Sequence, residues 1–181
     1  MPASIPEYFD LFGLQPRFGI DLQRLAQSYR EVLSRVHPDR FATAGAAERR
    51  AAMQISSHAN EAYEVLRSDS ARAAYLCGRA GAVVDGPAAP PLAPQFLEQQ
   101  MELREALEQA QERGDAAALA AMAGSLAAER AAVVQRIALL LDEQNDAHAA
   151  AAATRALQFL DKLGAEIARH QRAGQGAAAG R

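Results

Sequence analysis

The chain has 181 residues, half of them hydrophobic but only 6% aromatic, with no Trp and with 19 Lys+Arg against 22 Asp+Glu for a formal charge of -3. A core with so few large rings has to come from close packing of Ala-rich helices, which argues against an all-β fold; no basic stripe offers to neutralise a run of phosphates, which argues against nucleic acid; and a single cysteine, Cys77, excludes an intrachain disulfide framework and an all-cysteine metal site. The N-terminal MPASIPEYFD has acidic residues where a signal peptide needs a basic flank and an apolar run, and no stretch is read as reaching the roughly 18 apolar residues of a membrane span, so a cytoplasmic protein with no membrane partner is expected.

Leu22, Leu25, Ala26, Tyr29, Val32, Leu33 and Val36 recur at helical spacing behind Asp21, a side chain suited to cap the first turn. Pro38 disfavours helical geometry at His37 and ends this helix there. A second helix is expected from Ala46 to Arg67, with Ile55, Ala59, Ala62, Tyr63 and Leu66 on one stripe, and a short third one from Ser70 to Arg79. The two long helices therefore turn back on each other as an antiparallel hairpin with His37-Pro38-Asp39 at its tip.

Residues 81–94 hold Pro87, Pro90, Pro91 and Pro94, which forbid a continuous helix and divide the chain into a half with ten Arg against nine acids and a half with nine Lys+Arg against thirteen. Beyond them three helices are expected: Gln95–Arg113 behind Pro94; a second carrying Leu119, Met122, Leu126, Val133, Ile137, Leu140 and Leu141 after the Gly114-Asp115 stop and cap; and a third from Asp146 to His170 with Ala153, Leu157, Leu160, Leu163 and Ile167 inward. On a wheel of about 100° per residue, Leu103, Leu107 and Ala110 share a stripe with Phe96, whereas Leu97 and Met101 lie about 100° and 140° round, beside Glu98, Glu102, Glu105 and Gln109. Phe159 falls off the inward stripe of the last helix in the same way. Such flanking residues either widen the buried face or form an apolar edge against an acidic strip. The tail after Arg172, AGQGAAAGR, has nothing to bury and is read as disordered.

His37-Pro38-Asp39 taken alone is a polar turn, and the Arg residues around it, Arg24, Arg30, Arg35, Arg40, Arg49 and Arg50, are an ordinary solubilising set. Together with the long partner helix ending in Asn60-Glu-Ala-Tyr-Glu-Val-Leu66 and the short helix after it, they resemble a J-domain, the module that binds DnaK-type chaperone ATPases and stimulates their ATP hydrolysis. That resemblance implies that His37, Pro38 and Asp39 dock on the chaperone and that Arg30, Arg35 and Arg40 steer toward an acidic surface, with the chemistry residing in the partner. Exposed cations act in this way on association rate.

Glu7-Tyr-Phe-Asp-Leu-Phe-Gly-Leu14, His37-Pro-Asp-Arg-Phe-Ala42, Phe96-Leu-Glu-Gln-Gln-Met-Glu-Leu-Arg-Glu105 and Phe159-Leu-Asp-Lys-Leu163 are similar to the HscB co-chaperones of iron–sulfur cluster assembly over nearly the whole chain. The resemblance implies an all-α protein with a J-domain (1–80), a Pro-rich linker (81–94), a three-helix scaffold-binding domain (95–172) and a tail (173–181). It also implies two partners, the chaperone HscA and the cluster scaffold IscU, the latter held by Leu97, Met101, Glu102, Glu105 and Phe159. Glu98 and Gln109 depart from the family pattern, which often has an apolar residue and an acid at those positions. The alternative is a general J-protein that feeds unfolded clients to a DnaK-type chaperone.

No enzymatic activity, cofactor or metal is expected. His58 with Glu61 and Glu166 with His170 are single pairs, where a di-iron bundle needs two ExxH motifs and two further carboxylates. His37 and Asp39 have no nucleophile or Gly-rich phosphate loop beside them. Cys77 reads as a small packed hydrophobe.

Overall fold

A computed structural model describes residues 7–37 and 45–179, the side chains of 174–179 excepted. The helices are α1 (Tyr8–Leu11), α2 (Leu22–Arg35), α3 (Ala46–Arg67), α4 (Asp69–Arg79), α5 (Pro94–Glu112), α6 (Ala116–Ala138) and α7 (Ala147–Ala179), and the described residues contain no strand. They form two compact units, 1–76 and 77–181, divided within α4.

In the first unit the Asp21 carboxylate accepts from the backbone N–H groups of Gln23 and Arg24, starting α2 as its sequence requires. Phe9, Phe12, Leu25, Ala59, Ala62 and Leu66 make the core, and the small residues of α3 let it approach α2 closely. Tyr29 of α2 stacks on Tyr63 of α3 with ring centres 4.1 Å apart and donates from its hydroxyl to Asn60 Oδ1 at 2.9 Å, which sets the level of the hairpin. Counting antiparallel from that level brings Leu22 and Ile55 to opposite ends, where the facing helix runs out. Both are exposed, so the expected stripes are shortened by one residue each.

Arg72 is the polar centre of this unit. It is 4% exposed, and its guanidinium donates to the Phe18 carbonyl (2.8 Å), the Leu66 carbonyl (2.6 Å) and the Asp69 carboxylate (2.7 Å) while lying over the Phe18 ring. One side chain thereby joins the loop before α2, the end of α3 and the start of α4.

In the second unit, α5, α6 and α7 pack around Leu107, Ala110, Leu119, Leu126, Leu160, Leu163 and Ile167. Both reversals use the same device: a residue with positive φ (Gly114, +62°; Asn145, +53°) followed by an aspartate whose carboxylate accepts from the next helix, Asp115 from Ala118 N–H and Asp146 from Ala149 N–H, each at 2.9 Å. A π-helical turn over Leu139–Glu143 closes α6 and keeps Leu140 buried. At Gly164 a Cβ would stand 3.3 Å from Leu126 Cδ2, so α6 and α7 meet there backbone to side chain. The buried position expected at Ala153 belongs to Thr154, whose hydroxyl donates to the Ala150 carbonyl at 2.7 Å and so enters the core satisfied.

The backbone of α7 stays helical through 173–179, beyond the last inward residue Ile167, as the high helix propensity of alanine allows. Within Ala116–Glu143 an 18-residue window reaches a mean hydropathy of 1.4, enough to pass for a membrane span by length and composition, although Glu129 and Arg130 interrupt its apolar residues. Alanine supplies that average, and Arg130 of this run is tied to Asp161 of α7 at 2.7 Å.

The Pro-rich stretch lies on α7: Ala82 and Val84 are buried, Arg155 donates to the Pro90 carbonyl, and the Gln158 amide reaches Asp85 at 3.4 Å.

Replacing Arg72 with Leu strips three acceptors of their donor and is expected to cost about 3 kcal/mol. All four tyrosines lie in the first unit and the chain has no Trp, so urea unfolding followed by tyrosine fluorescence reads that unit alone; an unchanged midpoint would remove Arg72 from this role.

Candidate functional site

At the hairpin tip, α2 ends with Val36 as its C-terminal cap and His37 exposed immediately after it. Pro38, Asp39 and Arg40 lie outside the described residues. Beside His37 a cleft of about 400 Å³ is lined by Val36 and by Arg49, Ala52, Met53, Ser56, Ser57 and Asn60 of α3. Met53 is 71% exposed and lines the cleft, and the wheel gives no reason to single it out, since only the pairing of α2 with α3 brings it to the same cleft as Val36. Arg30 and Arg35 are both exposed but about 140° apart around α2, so they do not form one stripe. Arg35 stands in the last turn of α2, and Arg49 of α3 lies in the cleft wall beside Val36.

The second candidate site is on α5. Pro94 takes the first helical position, which suits its fixed φ, and the helix presents Leu97 (49% exposed) and Met101 (65% exposed) one turn apart. Glu98, Glu102 and Glu105 are exposed beside them, with no ion pair to a described residue. An apolar pair edged by uncompensated carboxylates suits a partner surface that is apolar at its centre and cationic at its rim.

Phe159 stands differently from the strip. It is half-buried, packs against the core of this unit, and meets the Phe96 ring edge-on with centroids 6.0 Å apart. It widens the buried face and at the same time fixes the first turn of α5, on which Leu97 stands.

Gln100, which the sequence reading does not single out, falls about 40° from Phe96 on the wheel, within the core stripe. It is 6% exposed, and neither its Nε2 nor its Oε1 has a hydrogen-bond partner among the described residues. An amide left so costs on the order of 1–3 kcal/mol.

Among the described residues no three His, Cys, Asp or Glu side chains gather as metal ligands. His170 is engaged with Gln111 and with the Glu166 carbonyl. Burial pushes the Cys77 thiol up from its ordinary value, against the smaller opposing effect of a hydrogen bond with Thr154. The Tyr8 phenol, pushed up to about 12 by burial and then by Glu61, stays protonated near neutral pH.

Residues 92–168 match the family model described as the HSCB C-terminal oligomerisation domain. The co-chaperone protein HscB homolog of Bordetella petrii is 45% identical over 168 residues, which cover 93% of this chain and 98% of that protein. The homolog of Bordetella avium is 59% identical over 75 residues, 41% of this chain and 45% of that protein, so this second match spans less than half of the relative. Among solved structures, the chaperone HscB from Vibrio cholerae superposes with a TM-score of 0.80 at 36% identity, over 91% of this chain and 96% of that one.

The different settings of the strip residues separate by mutation. Met101→Ala is expected to change stability by no more than about 0.5 kcal/mol, and Phe159→Ala to cost about 2 kcal/mol through lost core and ring contacts; thermal unfolding by circular dichroism would detect the reverse order. Cys77 should react with a thiol reagent far more slowly in the native chain than in urea, and equal rates would contradict its burial.

Proposed function

The chain belongs to the HscB family of co-chaperones, which are not enzymes, and on that premise we propose that it stimulates ATP hydrolysis by the specialised DnaK-type chaperone HscA and delivers the scaffold IscU to it for transfer of iron–sulfur clusters. The observation that carries this reading is the exposed Leu97–Met101 strip with its free carboxylates, borne on a unit with its own core, in a chain whose other unit exposes His37 just past the end of α2.

The chemistry is the partner's. His37, Pro38 and Asp39 engage the chaperone, with Arg30, Arg35 and Arg40 raising the rate of encounter. Binding accelerates hydrolysis to the extent that it favours the hydrolysis-competent conformation over the resting one. Leu97, Met101, Glu102, Glu105 and Phe159 hold the scaffold, the first two by apolar contact, the carboxylates by complementarity to a cationic rim, and Phe159 by supporting the first turn of α5. Carrying both contacts on one chain raises the effective concentration of scaffold at the chaperone without any new contact between them. The site of action that fits these partners is the cytoplasm.

Single-turnover ATP hydrolysis by HscA, alone and with this protein, IscU or both, tests the division of labour. His37→Gln should abolish stimulation and leave scaffold binding by isothermal titration intact, and Leu97→Ala combined with Phe159→Ala should do the reverse. Loss of both activities in either variant would sink the proposal, and stimulation indifferent to scaffold would favour a general J-protein.

A further inference from the structure

We infer that Gln100 is a hydrogen-bonding contact for the protein segment that docks on α5, and that it reads a peptide group of that segment. The inference rests on the docking reading of Leu97 and Met101 and adds a residue that the apolar strip alone does not suggest.

Gln100 is 6% exposed and both ends of its carboxamide lack a partner among the described residues, which is rare for a buried polar side chain and calls for a cause. Its position supplies one. It follows Leu97 by three residues and Phe96 by four, so on the helix surface it is the next-turn neighbour of both; it therefore sits between the core stripe closed by the Phe96–Phe159 contact and the exposed Leu97. Glutamine has three side-chain torsions, and a rotation about them carries the carboxamide outward past Leu97. There Nε2–H would donate to a backbone carbonyl of the partner and Oε1 would accept from a backbone N–H, the pairing that a peptide group offers and that an aliphatic or carboxylate side chain cannot supply in both directions. Leu97 and Met101 would provide apolar contact, and Gln100 the discrimination: a partner segment placed out of register would leave the amide buried and unpaired.

The proposal makes stability and affinity move in opposite directions. Methionine matches the length of glutamine and has no donor to satisfy, so Gln100→Met in the full chain should raise the thermal midpoint by a few degrees and weaken scaffold binding, measured by isothermal titration with apo IscU, by about tenfold, while ATPase stimulation of HscA without scaffold stays unchanged. Unchanged affinity, at any thermal midpoint, would overturn the inference, since the amide would then be satisfied by water or within the fold. Weakened affinity with a lowered midpoint would also overturn it, because that is the signature of a residue that only holds α5 in place. Leu97→Ala measured alongside separates the two readings: if it loses affinity and Gln100→Met does not, only the inference fails, and if it binds as the parent does, the docking reading fails and this inference falls with it.

Discussion

The first unit depends on one buried arginine. A hairpin of two helices with a short third helix fully buries little, only Phe9, Phe12, Leu25, Leu66 and the small side chains of Ala59 and Ala62 at its centre. Arg72 compensates by reaching two backbone carbonyls and one carboxylate from three different parts of the chain. Because the guanidinium is planar and carries donors along its whole edge, it can do this without moving the backbone, where a lysine ammonium would serve one acceptor well. With the chain entering α2 and leaving α3 held together, the tyrosine stack of Tyr29 on Tyr63 sets the level of the hairpin, and that level decides which residues surround His37.

The second unit meets the same shortage of large side chains by another route. Its long helices run close together, with Gly164 admitting Leu126, and two of its polar contacts are again made by arginine: Arg130 to Asp161, and Arg155 to the carbonyl of Pro90. The second of these bears on function. Pro90 is four residues before Pro94, where α5 starts, and Phe159 of α7 is one turn beyond Arg155, so one face of α7 holds both the approach to α5 and its first turn. Leu97 is thus presented from a helix end that is fixed twice.

Most of the helices were legible because their signals are local. Asp21, Asp115 and Asp146 cap, Pro94 opens α5, and the apolar spacing names the buried faces to within a residue or two. What the pattern missed depends on which element stands opposite. Ile55 and Leu22 lie on the correct azimuth but beyond the end of the facing helix; Thr154 displaces Ala153 because its hydroxyl is satisfied within its own turn; Phe159 lies off its helix's stripe and is nonetheless covered, by Phe96 from another helix. Arg72 was invisible as a core residue, since nothing about an arginine in a short helix announces three acceptors around it. The sites divide along the same line: Leu97 and Met101 follow from the period of a single helix, while the cleft at Met53 and the orphaned amide of Gln100 exist only once helices are packed.

The separation of cores has a consequence for how such a protein changes. The residues assigned to contact, His37 at one helix end and Leu97, Met101, Glu102 and Glu105 on another, are exposed, so their substitution disturbs little packing and the two contacts can vary independently, as sites with no shared partners do. Phe159 and Gln100 are the exceptions because each belongs to the surface and to the core of its unit at once. Under the proposed function a change at Phe159 would alter stability and docking in the same direction, whereas at Gln100 the fold would gain from an apolar residue and the docking surface would lose. Opposed demands of that kind distinguish a buried polar side chain kept for recognition from one kept for structure.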